Sequence, residues 1–263
     1  MSGIPTFRIS GRFIRVWQRN LTVYRKRWKI GFIPPFLEPL FYLLAFGIGM
    51  SSLVGNLRYL GLEVSYTHFI APALIAVSIM QNAFFETTYD SFVRMYYQKT
   101  FDALIATPLS MEEIITGEII WGATKSLIAA VIMLVVISIF GFIRYPGGLL
   151  ILPLAFLGGL AFAAIGMFFT GIVGTIEMFN LPVFLFVTPM FLFSGTFFPL
   201  ENLPRWAQQF AMVLPLTHLT YLARAFSFGK VNSSMFLHVG YLVAFSLVFF
   251  ALALIAMHRR LIK

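Results

Sequence analysis

The residues of this sequence that could do chemistry are a few charged side chains beside long apolar segments. Glu86 and Asp90 lie near the end of one apolar segment, and Lys125 lies inside the next. A charge within a membrane segment indicates contact with an ion or a substrate. The same spacing allows Lys125 to form an ion pair with one of the carboxylates across two helices, or to extend its ammonium group to the membrane surface. The pattern therefore supports two interpretations, structural pairing and substrate contact.

A second group of carboxylates, Glu112, Glu113 and Glu118, is the first place to look for an active site that modifies lipids at a membrane surface. Such an enzyme also needs a nucleophile, a base or a metal cluster beside the carboxylates, and the sequence shows no such cluster. There is no cysteine, so thiol chemistry is excluded. We predict no catalytic residue and no metal site, because none of the histidines has metal-ligand spacing or clusters with carboxylates: His68, His218, His238 and His258.

The elements that must position these side chains are membrane helices. The chain has 263 residues, of which 59% are hydrophobic and 11% charged. A bilayer core requires roughly 20 apolar residues per helix. Windows of this kind occur at about 32–54, 67–92, 114–142, 148–173, 179–198 and 236–257. The sequence therefore predicts an all-α integral membrane protein with six transmembrane helices.

An ion-coupled secondary transporter is an alternative class for such a chain. That class requires carboxylates near the bilayer midplane and often has broken helices in two repeated halves. The carboxylates here lie toward the ends of the predicted spans, and no inverted repeat is visible. Rows of small residues, such as Ala155, Gly159 and Ala163, predict close helix packing, in the first place within the chain and alternatively at a dimer seam.

The distribution of basic residues predicts the orientation in the membrane. Of the 19 Lys and Arg residues, thirteen precede the first span, lie between the second and third spans, or follow the last span. The positive-inside rule then places both termini in the cytoplasm, in a multi-pass protein of the cytoplasmic (inner) membrane.

The net charge of +9 is explained by this topology, so we predict no nucleic-acid partner. The first long apolar run begins only after about thirty residues, so we expect the N-terminus to be retained.

Residues 1–31 are predicted to form a cytoplasmic amphipathic helix at the membrane interface. Four arginines at helical spacing share one face: Arg8, Arg12, Arg15 and Arg19. The opposite face carries apolar and aromatic residues, Ile14, Trp17, Leu21, Tyr24 and Trp28. This pattern predicts arginines directed toward lipid phosphates and aromatic rings, including Trp17 and Trp28, directed toward acyl chains. The alternative is a basic segment that serves only as a topology signal.

A short helix is predicted between the second and third spans. Phe101, Leu104 and Ile105 have the spacing of one helical face. Pro108 limits this helix, since a residue that precedes proline avoids the helical conformation. Ser110 and Glu113 have the spacing of a capping box that would begin the third span. Taken alone, the pattern predicts either a rigid amphipathic helix at the cytoplasmic surface or an interfacial turn resting on lipid.

Three stretches resemble the type-2 ATP-binding-cassette permease superfamily. They are "PPFLEPLFYLLAFGIGM" at the first span, "FDALIATPLSMEEIITGEI" before the third, and "FSGTFFPLENLPRWAQQFAMVLPLTHLTYLARAF" between the fifth and sixth. They occur in the expected order and together extend over nearly the whole chain. Within the superfamily, the run "LPLTH" is similar to the branch of nodulation-factor lipo-oligosaccharide exporters and daunorubicin-type drug exporters.

This resemblance implies a six-span permease domain at 32–263 that pairs with a second copy, or a close homologue, and with cytosolic ATPase subunits. The helix at about 97–108 would be the coupling helix that docks on the ATPase, through Thr100, Phe101, Asp102, Leu104, Ile105, Thr107 and Pro108. No G-x-x-x-x-G-K-[ST] motif occurs in the chain, so we expect the partner to bind ATP and Mg, and this chain to hold no cofactor.

Between the fifth and sixth spans, the pattern predicts short helices or a re-entrant hairpin at about 199–232 on the outer side. The resemblance implies that this segment is a lid over the exit route, with Phe198, Pro199, Pro204, Trp206 and Pro215 as candidate residues. The expected cargo is amphipathic, lipid-linked, oligosaccharide or drug-like, because the spans are apolar and carry few charges. The membrane lipid is a further expected partner.

Overall fold

The structure is a computed structural model that describes residues 9–29, 33, 37, 40–50, 54–59 and 61–261. In chain order the helices are α1 (Phe13–Lys26), α2 (Tyr66–Tyr97), α3 (Thr100–Ile105), α4 (Met111–Ile139), α5 (Gly147–Ile172), α6 (Ile176–Phe193), α7 (Arg205–Val213), α8 (Pro215–Ser227) and α9 (Met235–Leu261). Arg8 and part of the predicted first span, 32–54, lie outside the described residues. A short π-helical segment at Leu43–Ile48 belongs to the described part of that span.

Five helices of the described residues are long and apolar enough to cross a membrane, namely α2, α4, α5, α6 and α9. Their positions agree with the second to sixth predicted spans, so the prediction of a largely helical, multi-pass membrane protein is confirmed. The total of six spans stays a prediction.

Between the first two spans the chain forms a short β-hairpin, which the sequence pattern did not predict. Strand β1 (Asn56–Tyr59) pairs antiparallel with strand β2 (Leu62–Ser65), with Tyr59 opposite Leu62. The Tyr59 ring packs edge-on against Phe69, 5.2 Å away. Ser65 ends β2 and caps α2, because its hydroxyl accepts a hydrogen bond from the backbone N–H of His68. The hairpin therefore closes over the beginning of α2.

Helix α2 is longer than predicted and changes its winding near its C-terminal end. It is α-helical over Tyr66–Phe85 and then π-helical over Glu86–Asp90 and Val93–Tyr97. The hydroxyls of Thr87 and Thr88 donate to backbone carbonyls one turn earlier. π-Helical turns are rare and often occur at functional sites. This part of α2 carries the charged residues described below.

The core of the described protein is formed by α2, α4 and α5, which pack on one another through small residues. A Cβ atom added at Gly159 of α5 would lie 2.9 Å from the Cα atom of Ala123 in α4. A Cβ atom at Gly166 would lie 2.9 Å from the backbone oxygen of Phe84 in α2. These glycines therefore permit the close approach of helices within one chain that the small-residue rows predicted.

The segment between the last two spans forms short helices, one of the two predicted forms. After a 3₁₀ turn at Leu200–Asn202, Pro204 immediately precedes α7, and Pro215 occupies the first turn of α8. Proline is favoured there, since the first turn of a helix leaves its backbone N–H groups unpaired. Arg224 of α8 is buried and ties the segment to the core, because its Nε and Nη2 atoms donate to the backbone oxygens of Phe69 and Thr196.

Candidate functional site

Helix α3 is a short helix that connects two membrane-spanning helices. Lys99, with a left-handed φ of 53°, reverses the chain after α2, and α3 follows at Thr100–Ile105. Four predicted docking residues lie exposed at this turn: Asp102, Ile105, Thr107 and Pro108. Thr100 and Leu104 are half-buried. Helix α3 therefore presents a continuous exposed surface at the end of the helix bundle.

The structure places Phe101 differently from the other predicted docking residues. Its side chain is fully buried and belongs to the hydrophobic core of the chain. The ring therefore anchors α3 to the helix bundle and is not on the exposed surface of this conformation. The docking role of the exposed residues stays a prediction.

The predicted capping box fixes the beginning of α4 directly after α3. The Ser110 hydroxyl accepts a hydrogen bond from the backbone N–H of Glu113 at 3.2 Å, and the Glu113 carboxylate accepts one from the backbone N–H of Ser110 at 2.9 Å. This pair satisfies two N–H groups that a helix N-terminus otherwise leaves unpaired. Only the five residues from Ala106 to Ser110 separate the two helices. Little freedom therefore remains between α3 and the spanning helix α4.

Helix α1 braces α3 at both ends. The Arg12 guanidinium donates to the backbone oxygen of Pro108 at 2.7 Å, after the end of α3. The Arg19 guanidinium approaches the Thr100 hydroxyl at 3.4 Å, at the beginning of α3. In addition, the Ser10 hydroxyl forms a short hydrogen bond with Glu113. A displacement of α3 would therefore have to move α1 or break these contacts.

The apolar face of α1 was predicted to lie toward acyl chains. This is wrong for the edge formed by Trp17 and Tyr24, which packs on α4. Trp17 donates its indole N–H to the Thr124 hydroxyl of α4 at 2.9 Å, and the Tyr24 ring packs edge-on against Trp121. The reason is the close approach of the two helices at Val16, which is fully buried. The other edge keeps the predicted exposure, since Ile14 is 45% and Trp28 is 52% exposed.

The arginine face of α1 is divided between protein and solvent. Arg12 and Arg19 bond to residues of the α3 region, as described above. Arg15 is exposed, and its guanidinium lies 3.5 Å from the Gln18 amide oxygen. Contact of these arginines with lipid phosphates stays a prediction.

Charged side chains of α2 and α4 form one network near α1, which we call the inner charge cluster: Glu86, Asp90, Arg94, Glu118 and Lys125. The Lys125 ammonium lies 2.5 Å from a Glu86 oxygen and 3.1 Å from an Asp90 oxygen. The Arg94 guanidinium bridges Glu86 at 2.8 Å and Glu118 at 2.5 Å. Trp121 donates its indole N–H to Glu86 at 2.8 Å. The predicted pairing of Lys125 with carboxylates across two helices is confirmed.

Glu118 joins three helices within this cluster. Its carboxylate is fully buried and accepts hydrogen bonds from Asn20 of α1 at 2.8 Å and from Ser91 of α2 at 2.6 Å, besides those from Arg94. A buried carboxylate with this many donors is a structural anchor, because protein donors replace the hydrogen bonds to water that the carboxylate loses on burial.

A cleft of about 340 Å³ lies beside the cluster and includes Arg19, Tyr24 and Lys125 in its lining. Among the described residues, no group of three His, Asp or Glu side chains could hold a metal ion.

One histidine contact corrects the prediction that no histidine clusters with a carboxylate, and a second contact joins two histidines. His258 at the end of α9 lies 3.8 Å from a carboxylate oxygen of Glu112. His218 of α8 and His238 of α9 face each other with their Nδ1 atoms 2.7 Å apart, and the His218 Nε2 atom lies 2.9 Å from the backbone oxygen of Met212. Since that carbonyl only accepts, Nε2 of a neutral His218 carries the proton, and its Nδ1 then accepts from Nδ1 of His238. The two histidines are 20 positions apart in the sequence and lie on different helices, so no spacing pattern in the sequence indicated that they would meet.

Acidification is expected to weaken the packing of α8 against α9. Burial lowers the pKa of His218 below its ordinary value of 6.5, while the hydrogen bond to Met212 acts in the opposite direction. The unfolded chain takes up a proton below about pH 6.5. The stability from a neutral His218 is therefore present above that pH and is lost as the pH falls from there toward the lowered pKa of His218 in the folded protein. The Tm of the purified protein should fall over this range.

The variant His218→Gln provides the comparison. It should melt at a lower temperature than the natural protein at pH 7.5, and its Tm should fall less on acidification. An equal fall in both proteins would assign the pH dependence to other groups.

The predicted lid residues lie at the opposite end of the molecule from α3. Phe198 is 37% and Trp206 is 66% exposed, and Pro204 is also exposed, whereas Pro199 and Pro215 are buried. The Trp206 ring approaches Phe193 at the end of α6, with 6.4 Å between the ring centroids. A cavity of about 480 Å³ lies beneath the segment and includes Ser194, Tyr221 and Arg224 in its lining. Their role as a lid stays a prediction.

Comparison with known proteins agrees with this architecture. Residues 12–228 match the ABC-2 type transporter family. Nodulation protein J of Rhizobium leguminosarum bv. viciae is 34% identical over 262 residues, which cover 99% of this chain and 100% of the relative. Nodulation protein J of Rhizobium meliloti (strain 1021) is 33% identical over 249 residues, 95% of this chain and 94% of the relative.

A more distant relative carries a name that states transport. The inner membrane transport permease YadH of Escherichia coli (strain K12) is 22% identical over 235 residues, 89% of this chain and 90% of the relative. The resemblance inferred from the three sequence stretches is therefore confirmed. The family match extends over most of the chain, and relatives above 30% identity align over 94% to 100% of it. This multi-pass membrane protein belongs to the ABC-2 type transporter family.

Proposed function

We propose that this chain is the permease subunit of an ATP-driven exporter and that α3 is its coupling helix. A separate cytosolic ATPase binds ATP and Mg and docks on the exposed residues of α3 and of the turn that follows it: Asp102, Ile105, Thr107 and Pro108. Family membership supports a transport permease that is not itself an enzyme. The exporter assignment draws further support from the relatives named as nodulation proteins and as a transport permease.

The observation that carries the proposal is the mechanical position of α3. It lies between α2 and α4, is anchored by the buried Phe101, and is braced at both ends by α1. A force applied to the exposed side of α3 would therefore reach two spanning helices at once. A flexible loop could not transmit such a force, because its backbone would absorb the displacement.

The rest of the proposal concerns the assembled transporter. Two permease copies, or one copy and a close homologue, form the translocation route across the inner membrane. Both termini and α3 face the cytoplasm, as the distribution of basic residues predicts, and the segment of α7 and α8 then lies outside as a lid. The cargo is an amphipathic, lipid-linked, oligosaccharide or drug-like molecule, a class supported by the apolar spans and by the resemblance to exporters of such molecules.

Changing the charge of the exposed surface of α3 is expected to prevent ATPase docking. Asp102→Lys and Ile105→Glu change exposed side chains, so the permease should still fold while the docking surface is altered. Loss of one docking contact worth about 1.4 kcal/mol reduces affinity tenfold. We therefore expect each variant to retain about a tenth, or less, of the ATPase that co-purifies with the natural permease from its host membranes. Peptide sequencing identifies the ATPase, and ATP turnover is measured on the same samples.

Glu63→Lys is the matched control, since it reverses an exposed carboxylate on the β-hairpin, at the opposite end of the molecule. It should leave ATPase recovery and turnover unchanged. Phe101→Ala is a poorer test, because removing a buried ring would alter folding as well as docking. If the natural permease carries no ATPase, the exporter proposal fails and an ion-coupled transporter becomes the leading alternative. If the α3 variants retain full binding and turnover, the ATPase docks elsewhere.

A further inference from the structure

A groove beside α3 shares Asp102 with the docking surface and extends away from it toward α5 and α9. It has a volume of about 620 Å³ and is formed where the ends of α2, α5 and α9 meet. Its apolar wall includes Phe168 and Ile172 of α5 and Leu252 and Ile255 of α9. Ile172 is 60% and Leu252 is 36% exposed. The wall therefore continues onto the surface of two membrane-spanning helices.

The rim of this groove is basic. Lys99, Arg259 and Arg260 line it, and the only carboxylate in the lining is that of Asp102. The Lys99 ammonium lies 3.9 Å from that carboxylate, but both side chains are more than 60% exposed. An ion pair this exposed and this long contributes little. The groove therefore has an excess of positive charge.

The three basic residues differ in what they do for the fold. Arg260 donates to the backbone oxygens of Thr170 and Val173 and so caps the C-terminal end of α5. It also lies over the Phe92 ring, 5.2 Å from its centroid. Arg259 is exposed and forms no ion pair among the described residues. The Lys99 ammonium lies 5.4 Å from the centroid of the Tyr96 ring in α2 and makes no contact with α5 among those described. Lys99 and Arg259 can therefore bind an anion without disturbing the packing of α5.

We propose that this groove binds an anionic phospholipid, with the headgroup phosphate held by Lys99 and Arg259 and the acyl chains along the apolar wall. Basic pockets between membrane helices on the cytoplasmic side are suited to anionic headgroups. A soluble phosphate would use the rim but none of the wall, whereas a lipid uses both. The proposal rests on the topology given above, which places this end of the helices at the cytoplasmic leaflet.

The position of Lys99 gives the bound lipid a connection to α3. Lys99 is the residue immediately before α3, and Asp102 belongs to α3 itself. A phosphate bound at Lys99 would hold the N-terminal end of α3 toward α9, opposite the contacts that α1 makes. The groove is thus a point at which the lipid composition of the membrane acts on the coupling helix.

Native mass spectrometry of the purified full-length protein in detergent tests this proposal. The probes are dioleoyl phosphatidylglycerol and the zwitterionic dioleoyl phosphatidylcholine, with glycerol 3-phosphate as a soluble phosphate. The variant Lys99→Asn/Arg259→Gln removes both charges, and Asn tolerates the left-handed backbone at position 99. The control Arg25→Gln/Lys26→Gln removes two exposed basic residues from the end of α1.

The expected result is preferential binding of phosphatidylglycerol to the natural protein and a loss of roughly twenty-five-fold in the double variant, since each basic side chain near the surface contributes about fivefold. The control should lose less than about twofold. Equal binding of both lipids, or equal losses in variant and control, would overturn the site. Competition by glycerol 3-phosphate at the concentration of the lipid would show that the groove binds a free anion instead. None of these outcomes depends on an ATPase or on transport, so failure here is distinct from failure of the proposed function.

Discussion

Replacing Glu118 with Gln is expected to destabilise the folded protein by roughly 3–5 kcal/mol, the usual cost of removing one partner from a buried ion pair. The amide keeps the shape and can still accept a hydrogen bond from Asn20 or Ser91. It leaves Arg94, whose side chain is 14% exposed, with Glu86 as its remaining carboxylate. In a chain of this size the Tm should fall by about 10 °C. Fluorescence-detected size exclusion after heating measures the change.

Glu177→Gln is the matched control, since Glu177 is exposed on the turn that opens α6. The same chemical change there should alter stability by less than about 0.5 kcal/mol. The double variant Glu118→Gln/Arg94→Gln should lose less than the sum of the two single variants, with a coupling of about 0.5–3 kcal/mol. Strict additivity would show that Glu118 and Arg94 do not stabilise one another.

Gly159→Ala is expected to disrupt the packing of α4 against α5. The new methyl group would lie 2.9 Å from the Cα atom of Ala123, which is backbone and cannot rotate away. Overpacking of this kind costs roughly 1–3 kcal/mol, although Ala is otherwise the better helix residue. The Tm and the yield of monodisperse protein should therefore both fall.

Gly240→Ala is the control that shows the effect of helix propensity on stability without an effect of packing. Gly240 lies in the spanning helix α9, and a Cβ atom there has no neighbour within 4 Å. This variant should be neutral or more stable by up to about 1 kcal/mol, as expected for Gly to Ala in a helix. If Gly159→Ala is equally harmless, α4 and α5 are less tightly packed than the structure shows.

The sequence predicted the features that depend on neighbouring residues. Apolar windows located five spans within a few residues, because the length of a membrane helix follows from bilayer thickness. Pro108 and the Ser110 and Glu113 pair located the end of α3 and the beginning of α4, because both signals act within four residues. The β-hairpin was missed, since a hairpin this short lies below the resolution of hydropathy windows.

Features that join distant parts of the chain could not be predicted in this way. The contact of Asn20 with Glu118 connects residues 98 positions apart. Angular segregation on α1 predicted an amphipathic helix correctly, but it could not distinguish an apolar edge that packs on protein from one that rests on lipid. The pairing of Lys125 was predictable because only a few carboxylates lay near it. The participation of Arg94 and Trp121 was not predictable, because it depends on how the π-helical turns of α2 orient Glu86 and Arg94.

The brace that α1 forms on α3 also sets an order for biosynthesis. Arg12 leaves the ribosome 96 residues before its partner Pro108. At a synthesis rate of about 5–20 residues per second, roughly 5–20 seconds pass between the synthesis of Arg12 and that of Pro108. During that interval its arginines and its exposed Ile14 and Trp28 can keep it on the membrane surface. On the predicted interfacial placement of α1, its second apolar edge would contact the membrane before the final partners of the helix have been synthesised.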